Sequence, residues 1–85
     1  MNNSQVLREV HAERERQWQL DYGVDIEEFD RNCSRNDWVA FVSTYIGRAS
    51  NAFRNQREGQ DFRENMIKAA ALCVAAIEAY DKGYC

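Results

Sequence analysis

Proline is missing from the chain altogether, and the 85 residues hold only four glycines, three cysteines and one histidine. Without proline-rich or low-complexity punctuation nothing marks a linker, so residues 1–85 read as a single α-helical domain. Cys33, Cys73 and Cys85 include no CxxC pair and His11 stands alone, so neither a structural metal site nor a disulfide framework has the residues it needs. No apolar run approaches the roughly 18 residues of a membrane span. The start, MNNSQVLREV, lacks a basic segment followed by an apolar one. The expectation is a cytoplasmic chain with reduced thiols and no membrane partner.

Positive charge is also in deficit. The net charge is −3, which argues against nucleic acid as a partner through its phosphate backbone. The balance is uneven: residues 1–47 carry five basic and nine acidic side chains, and residues 48–85 six basic and five acidic. The second half is the better place for an anion.

What is present is helix. In MIKAAALCVAAI, residues 66–77, only Lys68 interrupts an alanine-rich apolar run. Asp61 and Glu64 offer a capping box before it, and Gly83 a stop after it. Residues 69–77 are apolar all round, so neighbours must enclose this helix on more than one side. Helices are predicted near 4–22, 37–53 and 61–82. Three helices in one chain cannot enclose the last of them. The expected fold is therefore all-α, a three-helix chain that completes its bundle as a homodimer or higher even oligomer. In such an assembly Cys73 is expected to be buried and Cys85 to be the exposed thiol.

Ser4 and Gly23 bound the first helix. Its apolar positions Val6, Leu7, Val10, His11, Trp18 and Tyr22 are interrupted by HAERERQ, which sets Glu13, Arg14 and Gln17 on or near the core side. Two readings follow. Either Glu9, Glu13 and Arg16 form surface pairs on a solvated face, or Arg14 and Gln17 line a polar pocket. Residues 23–36 have no clear period, with Ile26 and Phe29 as possible anchors. Four acidic residues among the six from Asp25 to Asp30 are a conceivable Mg²⁺ cluster or a plain acidic loop. Ser34 or Asn36 caps the second helix, whose stripe of Trp38, Val42, Tyr45, Ala49 and Phe53, broadened by Phe41, Ile46 and Ala52, faces a core. Gly47 in its middle predicts a close approach of another backbone. Arg48, Arg54, Arg57 and Arg63 gather about the next connection, either for solubility or as an anion-binding rim.

The order ERERQ at 13–17, NDW at 36–38, YIGRA at 45–49 and FRENMIKAAALCVAAIEAYDKG at 62–83 resembles small MazG-like proteins of phages and prophages. That family is similar to the all-α nucleoside triphosphate pyrophosphohydrolases, in which carboxylates on two core helices hold Mg²⁺ against nucleotide phosphates. Aligned on Gly47, the expected first-motif glutamates fall on Thr44, Tyr45 and Arg48. Glu64 matches the first member of the second motif, and the aspartate expected after it is Ile67. The resemblance thus implies a cleft without its catalytic carboxylates, in which arginine meets phosphate directly in place of a metal.

On that basis the expected function is a catalytically inactive module, without cofactor or metal, that binds or sequesters a nucleotide-derived ligand through Arg14, Gln17, Thr44, Tyr45, Arg48 and Glu64. A counter-defence role in a phage host's cytoplasm would fit. One alternative is an interaction protein that inhibits a host protein. A lesser one is a residual Mg²⁺-dependent pyrophosphohydrolase using Glu64 with Asp25, Glu27 or Glu28.

Overall fold

The computed structural model describes residues 3–19, 26–51 and 61–85. Every regular element among them is helical: α1 (Asn3–Trp18), α2 (Ile26–Asn32), α3 (Arg35–Asn51) and α4 (Phe62–Asp81). The all-α expectation holds. The termination of α1 at Gly23 and the outer arginines Arg54 and Arg57 lie outside the described residues, as do Tyr22, Ala52 and Phe53.

Helix ends follow local chemistry. Ser34 and Asp37 cap α3 reciprocally: the Asp37 N–H donates to Ser34 Oγ at 3.1 Å, and the Ser34 N–H to Asp37 Oδ2 at 2.8 Å. Asp61 caps α4 by accepting the Glu64 N–H at 2.7 Å. At the other end Gly83 takes a φ of 78°, and the N–H groups of Gly83 and Tyr84 donate to the carbonyls of Tyr80 and Ala79, both at 2.9 Å. This two-bond left-handed terminator turns Tyr84 and Cys85 back onto the body of the molecule.

The three-helix expectation is corrected by α2, which lies in the connection that showed no period. Seven residues are too few to display one, and contacts from elsewhere hold them. Phe29 stacks on Phe41 with centroids 6.2 Å apart, Asp30 accepts from Arg14, and Glu27 accepts from the Tyr84 hydroxyl at 2.8 Å.

Helix α4 is the common support for the others. α3 lies antiparallel along it: Arg35 sits over the Tyr80 ring at one end and Lys68 over the Tyr45 ring toward the other. Ala69, Ala71, Ala75 and Ala79 are buried with Asn65 on the covered side, and these small side chains let the neighbouring helices come close. The core gathers Cys33, Trp38, Ala75 and Ala79, with Phe29, Phe41 and Leu72 against it. Burial pushes the Cys33 thiol up to about 11, with Asp37 and Asp30 adding to the effect.

Further expectations change here. Ile46 is 43% exposed and does not belong to the buried side of α3. Among the described residues nothing comes within 4 Å of where a Gly47 Cβ would stand, so no close approach explains that glycine. Cys85 is half-buried against the core, while Cys73 is exposed on the single chain. Most consequentially, α4 is not enclosed. Phe62, Ile77 and Tyr80 are 62, 61 and 60% exposed, and Met66 is 39% exposed.

Candidate functional site

Of the six residues singled out in the sequence, Arg14 and Gln17 are buried, Tyr45 and Glu64 are half-buried, and Thr44 and Arg48 are exposed. Arg14 is buried, with its Nη2 donating to Asp30 Oδ2 at 2.9 Å and its Nε 3.7 Å from Glu78 Oε1. Its position on α1, one turn after buried Val10, places the guanidinium inside the α1, α2 and α4 junction. A buried arginine held by a buried carboxylate is committed to the fold. Gln17 is buried one turn further on and donates to Glu13 Oε2 at 3.2 Å. Its Oε1 is enclosed without a hydrogen bond from any described residue.

Thr44 is exposed and its hydroxyl donates to the Ala40 carbonyl of its own helix at 2.9 Å. Tyr45 is half-buried, and two cations face its ring: Arg48 at 5.1 Å from the same helix and Lys68 at 5.9 Å from α4. Arg48 is exposed. Sequence reasoning missed Lys68, although its place as the one charge in an apolar run marked it.

Glu64 lines a cleft of about 460 Å³ between α1 and the first turns of α4. Its walls also carry Glu9, Glu13, Asp61, Arg16 and Arg63. Three of these carboxylates are already engaged. Arg63 grips Glu9 through two bonds of 2.8 and 2.6 Å, Arg16 grips Glu13, and Asp61 caps α4. The Glu9 carboxyl is held below the usual range by its hydrogen bond from Arg63, and Arg63 is held up correspondingly. Glu9 and Arg16 thus sit in ion pairs on a solvated side, as the first reading has it, with Glu9 paired to Arg63, whereas the Glu13 side chain is only 11% exposed and lies toward the core beside Gln17.

The acidic stretch also disperses. Asp25 lies outside the described residues, Glu27 faces Tyr84 and Lys82, Glu28 is exposed, and Asp30 faces Arg14. Among the described residues no group of three or more His, Cys, Asp or Glu side chains converges as metal ligands. Among them, too, no helix is long and apolar enough to cross a membrane.

A second cavity, about 370 Å³, opens between α1 and α4 and is lined by Leu7, Val10, His11, Arg14, Val74 and Glu78. His11 approaches Glu15 at 3.7 Å on the exposed side of α1.

No family model, curated protein or solved structure matches the chain. The resemblance to MazG-like proteins rests on the short motifs quoted above.

Proposed function

We propose that this chain works by association, as a non-catalytic helical module whose working surface is the uncovered face of α4. One observation carries the reading: Phe62, Ile77 and Tyr80 are each about three-fifths exposed on one helix of an 85-residue chain. Scattered apolar side chains on a surface need no explanation, but a contiguous row along a whole helix marks an interaction site. The residues expected to form a nucleotide cleft give weaker support to a ligand, because Arg14 is spent on Asp30 and Gln17 is buried against Glu13. The test uses the exposed thiol of Cys73, which lies on this face. Alkylation of Cys73 in cells making the chain should be slower, by about tenfold or more, than in the purified Ile77→Glu chain, where a carboxylate in the row prevents coverage. Equal rates would overturn the reading.

The Tyr45 ring with Arg48 and Lys68 favours a second reading, in which the module also takes an anionic aromatic ligand such as a nucleotide-derived signal. Cations beside an aromatic face supply both stacking and charge-assisted hydrogen bonds to phosphate. Titration calorimetry with linear and cyclic nucleotides at about 0.1 mM protein should then give micromolar binding. Arg48→Ala should weaken it by about tenfold or more, with helical content unchanged. Heat from none of the nucleotides would remove this reading and leave the first intact.

A further inference from the structure

Two of the three thiols meet in the fold. Cys33 stands in the corner between α2 and α3 and is 6% exposed, and Cys85 is half-buried against the same core cluster, whereas Cys73 is exposed and outside it. Local geometry delivers Cys85 there. The left-handed Gly83 reverses the chain after α4, and the next side chain is clamped to α2: the Tyr84 hydroxyl donates to Glu27 Oε1 at 2.8 Å across 57 residues of sequence, with the Arg31 guanidinium 5.3 Å over its ring. Cys85 follows directly. The two thiols lie near enough that negative charge at Cys85 opposes ionisation of Cys33. We propose that Cys33 and Cys85 are a redox-active pair that closes to a disulfide by exchange with a low-molecular-weight disulfide, fastening the segment after α4 to the corner between α2 and α3. The inference uses neither the open face of α4 nor the Tyr45 ring and stands apart from both readings above.

Burial assigns the order of events. Cys33 is enclosed and its thiol is held up at about 11, so Cys85, the more accessible of the two, is the point of entry. The Cys85 thiolate attacks one sulfur of the small disulfide, whose S–S bond breaks, and the first small thiol leaves. Cys33 then gives up its proton and its Sγ attacks the Cys85 Sγ, so that the mixed disulfide breaks and the second small thiol leaves. Two protein thiols are oxidised, one small disulfide is reduced to two thiols, and these carry away the two protons. Cys33 needs no access to solvent for its step, because its target is already beside it. The closed bond fastens the least self-sufficient part of the fold. Helix α2 has seven residues and supplies Asp30, the partner of buried Arg14, so a latch on its end also steadies the junction with α1.

The main test changes only exposed Cys73 and needs no core substitution. Incubated with glutathione disulfide in native buffer at about pH 8, the Cys73→Ser chain should lose both remaining thiols and retain no glutathione. Tryptic cleavage without reductant should then give residues 32–35 joined to 83–85. The unfolding midpoint should rise by about 10 °C or more on closure and return when a thiol reductant is added. The Cys33→Ala, Cys73→Ser chain should instead keep glutathione on Cys85. The Cys73→Ser, Cys85→Ser chain should take it up at Cys33 at least about tenfold more slowly than that. A stable glutathione adduct on Cys85 of the Cys73→Ser chain would overturn the pairing, since a neighbouring thiol would have expelled it. A closed bond that lowers the midpoint would overturn it too, because the two sulfurs would then meet only in an opened chain. No reaction at either thiol of the folded chain would remove Cys85 as the point of entry and the proposal with it.

Discussion

Arg14→Met should destabilise the chain by about 3 kcal/mol or more, and removing its partner at the same time should recover much of that loss. The side chains of Arg14 and Asp30 are only 9% and 10% exposed, and their 2.9 Å contact ties α1 to α2 across sixteen residues of sequence. Taking the guanidinium away leaves the Asp30 carboxylate enclosed without its counter-charge. Single removal of one member of a buried pair is costly for that reason, whereas replacing both by apolar residues of similar volume is often neutral. Glu78 cannot substitute for Asp30 fully, because its side chain is 48% exposed and stands 3.7 Å from Nε. The measurement is urea unfolding of Arg14→Met, Asp30→Leu and the double variant. Additive losses would show that the two side chains do not act as a pair.

The pair also shows where the sequence stopped being legible. That position 14 faces inward follows from its spacing after Val10, and the alternative in which Arg14 and Gln17 sit on the buried side of the helix came from that periodicity. Asp30 could not be recognised as the partner, because it lies in a seven-residue helix whose stability comes from tertiary contacts through Phe29, Asp30 and Glu27. The start of α3 and both ends of α4 were readable for the opposite reason. Ser34 with Asp37, Asp61 with Glu64, and Gly83 act within a few residues of themselves. The inward turn of Cys85 was missed even though Gly83 was seen, since a left-handed terminator sends the chain back toward the helix rather than away from it. The apolar circumference of α4 was visible as composition. Which arc stays uncovered depends on where α1, α2 and α3 lie, and no local signal carries that.

Trp38→Ala should cost about 3–5 kcal/mol, enough to unfold a large fraction of a chain of this size, whereas Trp38→Phe should cost less than about 1.5 kcal/mol. Trp38 is 4% exposed and joins α3 to the Ala75 and Ala79 surface of α4, with Phe41 edge-on at 5.9 Å. Truncation to alanine opens a cavity between helices whose facing residues are already alanines, so little side chain is available to collapse into it. The indole Nε1 is the compensating feature. It is enclosed without a hydrogen-bond partner among the described residues, and an unpaired buried donor costs about 1–3 kcal/mol. Phenylalanine gives up part of the ring's packing and removes that cost, so the two terms oppose each other and the net change is small. Unfolding midpoints followed by far-ultraviolet circular dichroism for both variants decide the matter. A Trp38→Phe loss as large as that of Trp38→Ala would mean that the indole N–H makes a hydrogen bond in solution, and a small loss for both would remove Trp38 from the centre of the core.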